Sequence, residues 1–281
     1  MAVIFAFCCL ACAACNDFVF KLFTRVERSK GQFVTVVGVL WFLTLVWLPR
    51  NPESDWKMTL LWGCISGFFS VSSNILLIEA MARQSAGLCS TIYRLNMVLV
   101  VLGATLILDE KLSFVQWGGI ALAVVAVLAF LPRKGDAGAA KKAGMAGFFM
   151  VLAAAFLRAG MGLSYKYGFL HGADQNGVAV VNSFFWIFGG LLYAFLAERN
   201  FKFPDKLLLG YGALSGVLVA GIVFFMAASV NLGNASIVLP IAQMSFLGTL
   251  LLSVIFLKEK IDILKIIAVL CGTAAIILLV K

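Results

Sequence analysis

The chain has 281 residues, 63% hydrophobic and 12% charged, where soluble globular domains run at about 45–50% and about 25%. So little charged surface excludes a water-soluble enzyme, a secreted disulfide scaffold and a disordered tail, and leaves an integral membrane protein. The net charge of +9 fits Lys and Arg that hold loops on the cytoplasmic side rather than nucleic-acid binding.

A bilayer-spanning helix takes about 20 mostly apolar residues. The apolar runs predict ten of them, over residues 2–23, 32–48, 57–79, 86–108, 114–131, 145–167, 176–196, 207–229, 235–257 and 262–280. The second is short for a span. The first carries Cys8, Cys9, Cys12 and Cys15; without a polar second shell their spacing reads as small, reduced packing residues rather than a metal site. Pro49, Pro52, Pro132 and Pro204 fall between runs, where a missing backbone donor does no harm. A basic linker over residues 132–144, from Arg133-Lys134 to Lys142, separates a first unit, residues 1–131, from a second, residues 145–281.

The second unit echoes the first. A shift of 149 lays residues 57–131 on 206–280 without a gap, placing Lys57 on Lys206, Gly63 on Gly212, Ser66 on Ser215, Gly67 on Gly216 and Glu110-Lys111 on Glu259-Lys260. Before residue 57 the best shift is 145, which lays Lys21 on Lys166. Five helices per repeat is an odd number, so the second copy enters the membrane upside down. The expected fold is therefore an all-α polytopic membrane protein with ten transmembrane helices in two inverted five-helix repeats. That architecture belongs to secondary transporters, with the site near the midplane where the halves meet.

The segments Leu108-Asp109-Glu110-Lys111-Leu112 and Leu257-Lys258-Glu259-Lys260-Ile261 each close one apolar helix and precede another. With Gly118-Gly119 and Cys271-Gly272-Thr273 in the helices that follow, the chain resembles the EamA-type repeats of the drug/metabolite transporter superfamily. The resemblance implies a carrier working by alternating access, in a plasma (inner) membrane, with the fourth and ninth helices lining a central cavity. It does not name the substrate, since relatives carry amino acids, sugars, nucleotide sugars and drugs. Pro240 in the ninth helix has Thr91 at the matching place in the fourth, so the two halves are expected to bend differently. The small multidrug-resistance relatives place a glutamate eight residues before a first-helix lysine. Here those positions hold Ala13 and Arg158, so the carboxylate is absent in both halves, Asp17 is the only acid deep enough to substitute, and proton antiport by the same route is not expected.

Orientation has two readings. Fourteen Lys and Arg lie in the odd-numbered connections or at their edges, and four on the opposite side. This bias puts both termini outside and the 132–144 linker in the cytoplasm. The resemblance implies both termini inside.

Charged groups at membrane depth cost about 2.5–3.5 kcal/mol on insertion scales, which singles out candidate site residues. Arg158 lies past the middle of the sixth helix, with Gly162 and Tyr165 on its face. It reads either as a fixed cation for an anionic group or as half of a structural ion pair, Asp17 being one possible partner. Asp17 and Lys21 stand one turn apart on the first helix, either meeting substrate or neutralising each other. Lys166 closes the sixth helix, Arg94 lies in the fourth, and its repeat mate Gln243 follows Pro240 in the ninth. Asn74, Asn96 and Asn182 read as cavity residues or as interhelical glue, with glue favoured. Trp186, in mid-helix, is a candidate for stacking on substrate. Glu79 is expected to reach water beside Arg83.

The candidate substrate-binding set is thus Arg158, Arg94, Gln243, Asp17, Lys21, Lys166 and Tyr165. A single histidine, His171, and no phosphate loop argue against an enzyme, and neither cofactor nor metal is expected. The substrate reads as a small polar metabolite with an anionic or zwitterionic group. The alternative is a lipid-linked or headgroup flippase of the same fold. Expected partners are the substrate and the lipid bilayer, not nucleic acid. Ten helices enclose a pathway in one chain, and a homodimer remains open.

Overall fold

A computed structural model describes residues 1–23, 28–83, 92–129, 145–199, 203–257 and 263–280. The linker 132–144 and the Glu259-Lys260 pair lie outside the described residues. Those described form helices and no strands: α1 (Ala2–Phe23), α2 (Lys30–Leu45), α3 (Trp56–Arg83), α4 (Asn96–Ile107), α5 (Phe114–Leu128), α6 (Met145–Leu170), α7 (Gln175–Leu196), α8 (Lys206–Leu232), α9 (Ala235–Gln243), α10 (Ser245–Leu257) and α11 (Ile263–Val280). Among the described residues six apolar segments are long enough to cross a membrane: Ala2–Phe20, Trp56–Leu77, Ala146–Leu170, Gln175–Leu196, Lys206–Leu232 and Ala235–Phe256. The apolar helices Lys30–Leu45, Ile92–Ile107, Phe114–Leu128 and Ile266–Val280 are shorter. The chain is an integral, multi-pass membrane protein.

Local chemistry sets the helix starts. Ser29, Asp174 and Asp205 stand in extended backbone before α2, α7 and α8, and their side chains accept the free amide hydrogens of Gln32, Gly177 and Leu208. The segment after α4 does three things in five residues. Asp109 turns left-handed (φ +52°) and ends the helix, its neighbours Leu108 N and Glu110 N both donating to Ala104 O; an aspartate tolerates that conformation at modest cost. Glu110 accepts from Ala235 N (2.8 Å), Ser236 N (2.9 Å) and Ser236 Oγ (2.5 Å), so it caps the start of α9 in the other half. Ser113 and Gln116 form a reciprocal capping box that starts α5.

The packing is two-fold symmetric in its pairings. α1 lies on α8 as α6 lies on α3, and α2 lies on α8 as α7 lies on α3. α2 packs on its own counterpart α7, and α5 on α11. The register agrees with both sequence shifts. A Cβ on Gly63 or Gly67 would come within 2.8 and 2.6 Å of Val181 and Phe185; one on Gly212 or Gly216, within 2.7 and 2.5 Å of Val36 and Leu40. The first glycine pair maps on the second by 149 and the facing residues by 145. α2 runs against α7, Gly31 meeting Ala194 and Gly38 meeting Ile187. Counterpart helices that run oppositely are related by an axis across them, which makes the repeats inverted.

Loops gather at two ends. At one, Arg28 pairs with Asp205 (3.5 Å), and Glu198 accepts from Ser29 Oγ and Lys30 N. At the other, Asp55 N donates to Gly172 O (2.9 Å) and Asn51 N to Asp174 Oδ1 (3.0 Å).

The sequence predicts that the halves bend differently at Pro240 and Thr91; Thr91 lies outside the described residues, and the two halves share a break one turn further on. In the second half α9 stops at Met244, where Met244 N donates to Ile241 O and Leu247 N to Met244 O. In the first, Leu95 N donates to Ile92 O and Val98 N to Leu95 O. Both are tightened turns, and Leu95 and Met244 are repeat mates. A proline is one cause of a break; the first half breaks without one.

Candidate functional site

The paired breaks bring polar groups to the centre of the molecule. Arg94, just before the Leu95 break, reaches the Met244 break. It donates to Gln243 O (2.9 Å), Ser245 Oγ (2.9 Å) and Asp17 Oδ2 (2.5 Å). Its guanidinium also lies 5.5 Å from the Phe246 ring centre. Ser245 and Thr249, one turn apart on α10, both reach Asp17 Oδ2 at 3.4 Å. A carbonyl freed by a helix break is tolerated at membrane depth when protein groups satisfy it, and Arg94 does this for Gln243. Asp17 is thus committed to Arg94. Arg158 is not its neutralising partner, which the sequence alone allowed, and the expected pairing with Lys21 falls on a side chain that lies outside what is described.

Beside this cluster is a narrow cavity lined by Asn96, Val100, Arg158, Met161, Gly162, Met226, Leu239 and Gln243. Its space admits about one water molecule. Arg158 Nη1 contacts Met161 Sδ at 3.2 Å, a weak acceptor. Among the described residues no carboxylate lies within ion-pair distance of Arg158. Asn96 is fully buried; its Nδ2 donates to Tyr93 O at 2.6 Å while its Oδ1 has no partner.

The remaining candidates are placed elsewhere. Tyr165 is buried next to the cavity, its hydroxyl accepting from Asn182 Nδ2 (2.5 Å), and Asn182 Oδ1 accepts from Ser66 Oγ (2.9 Å). This network ties α6 to α7 and α3. Lys166 Nζ donates to Val230 O (3.1 Å) and Gly233 O (2.7 Å), so it closes the end of α8. Trp186 is packed edge-on against Trp41 and donates to Ser70 Oγ (2.8 Å), away from the cavity. Glu79 accepts from the Tyr193 hydroxyl. Cys9 and Cys12 pack on α8, at Ile222 O and Gly221.

Sequence reasoning put Arg158, Gln243, Arg94 and Asp17 in one candidate set; the structure has Arg158 and Gln243 on the cavity and Arg94 and Asp17 in the cluster beside it. The sequence left Asn96 between cavity residue and glue, favouring glue; Asn96 lines the cavity. It missed Ser245, Thr249 and the capping role of Glu110. The repeat register held the signal, because Ser245 is the mate of Asn96.

A two-fold inverted bundle with a polar centre between broken helices defines a membrane transporter. The EamA-like transporter family matches residues 1–131 and 145–281, and the chain belongs to it. One solved crystal structure is similar at TM-score 0.78 over 99% of this chain and 95% of its own, at 13% identity; at that identity the likeness carries the fold alone. No curated protein matches the chain.

Proposed function

We propose that the protein is a secondary carrier for a small polar metabolite with an anionic or zwitterionic group, that it works by alternating access in a plasma (inner) membrane, and that it does no chemistry on its cargo. One observation carries the reading: Arg158 lines a narrow cavity beside the broken helices without a carboxylate partner among the described residues. An unpaired charge at membrane depth is costly even when only half-buried, as Arg158 is, and a guanidinium fork suits carboxylate or phosphate. The inverted repeats supply the exchange of two conformations about that site. The cap of Glu110 on α9 fastens the two halves at one end of the molecule, as a carrier closed at that end requires.

The test is uptake into proteoliposomes. Arg158→Gln, checked for folding by size exclusion and melting, is expected to lose about 10- to 100-fold in transport, the worth of a charge-assisted hydrogen bond at about 1.5–3 kcal/mol. Arg158→Lys is expected to lose nearly as much, because the bidentate geometry goes. Normal transport by Arg158→Gln would reject the reading.

A further inference from the structure

The cavity and the Asp17–Arg94 cluster are the same place in the two repeats. The shift of 149 lays Arg94 on Gln243, Asn96 on Ser245 and Val100 on Thr249, and the shift of 145 lays Asp17 on Gly162. Gly162, Gln243, Asn96 and Val100 all line the cavity. Their counterparts Asp17, Arg94, Ser245 and Thr249 form one hydrogen-bonded cluster.

The two places differ in charge. The first contains an acid and a base and is neutral. The second has a base, Arg158, one turn before Gly162 on α6, and no acid among the described residues. Where Asp17 supplies a carboxylate, Gly162 supplies no side chain. The hydrogen-bonding inventory points the same way. Ser245 Oγ accepts from Arg94 and reaches Asp17, so it is used. Its mate Asn96 has a buried oxygen with no partner among the described residues. The bond from Asn96 Nδ2 to Tyr93 O fixes which end of the amide is free.

We propose that the cavity seats the carboxylate of the transported molecule where Asp17 puts its own in the other half. Arg158 and the Gln243 amide are its donors, and Asn96 Oδ1 accepts from an amino or hydroxyl group beside that carboxylate. The rest of the wall, Met161, Met226 and Leu239, is apolar, and methionine side chains reshape readily around a ligand. The substrate class is therefore a 2-amino or 2-hydroxy acid with a short apolar chain. The inference rests on the reading of Arg158 as the anion-binding cation.

The test uses the full chain in detergent, with binding followed by thermal shift and equilibrium titration. The probes are leucine, 2-hydroxy-4-methylpentanoate, 4-methylpentanoate and leucinamide. At least one of the first two is expected to bind 10-fold or more tightly than 4-methylpentanoate, and leucinamide is expected not to bind. Asn96→Leu is expected to erase the advantage over 4-methylpentanoate. Gly162→Asp places a carboxylate in the cavity from the chain itself. Its new Cβ meets the end of the Leu239 side chain at 2.7 Å, which has freedom to move. This variant is expected to melt above wild type and to lose binding, whereas Gly162→Asn is expected to melt at or below wild type. If 4-methylpentanoate binds as tightly as both the amino and the hydroxy acid, the substrate class and the role of Asn96 are overturned while the anion site stands. If Gly162→Asp binds like wild type, the carboxylate seat is overturned. If leucinamide binds as leucine does, or Arg158→Gln keeps full affinity, the anion site falls too. No shift with any of the four probes overturns the assigned class.

Discussion

Asp17 and Arg94 show how a charge survives inside an apolar bundle. Each would be costly alone; together, with Ser245, Thr249 and the Gln243 carbonyl, they satisfy one another. Removing one member leaves the other without its ion-pair partner, at greater cost for Arg94, 14% exposed, than for Asp17, 36% exposed. Arg94→Ala is therefore expected to destabilise the protein more than the double change Asp17→Asn with Arg94→Gln. A double-mutant cycle, read from denaturation in detergent, is expected to give a coupling of about 1–3 kcal/mol. The individual charges were legible in the sequence because ionisable residues are rare in apolar runs. Their pairing was not, because Asp17 and Arg94 are 77 residues apart and periodicity along one helix carries no information about its neighbours. For the same reason Lys166 drew attention as a site residue, although it caps α8.

At the scale of elements, close approach decides stability. Where α2 crosses α7, a Cβ on Gly190 would lie 2.7 Å from Thr35 N and 2.8 Å from Gly31 O. These are backbone atoms, which move only with the whole helix. Gly190→Ala is expected to destabilise by about 1–3 kcal/mol, the usual cost of overpacking. Gly210 is the control. It sits on α8 with nothing within 4 Å of its Cβ position, so alanine there is expected to be neutral or to stabilise by up to about 1 kcal/mol, through its better helix propensity. Both shifts are measured by chemical denaturation in one detergent. The sequence showed the glycine register through the Gly63–Gly212 and Gly67–Gly216 matches. It hid the break at Leu95, because Pro240 marks its counterpart and Thr91 carries no comparable signal. The first break is the tightened turn at Leu95, and the tertiary contact beside it is Arg94 donating to Ser245 on α10.

Across the whole molecule, composition established membrane residence, and the repeat register established the inverted halves. Substrate chemistry was less legible, since it depends on which lining groups are left without partners, and only packing reveals that. The packing also bears on how the chain is made. The principal partner of nearly every helix belongs to the opposite half: α1 with α8, α2 with α7, α3 with α6, α4 with α9, α5 with α11. During synthesis the first five helices therefore enter the bilayer with their contact faces still open to lipid, and the core closes once their counterparts arrive. The arrangement is that of a dimer written on one polypeptide. Residues 1–131 expressed alone are expected to be cleared by membrane proteases. Co-expression with residues 145–281 as a separate chain is expected to restore both to a stable complex, seen as co-purification through a tag on one fragment. Survival of either fragment alone at the level of the intact protein would show that a half carries its own core.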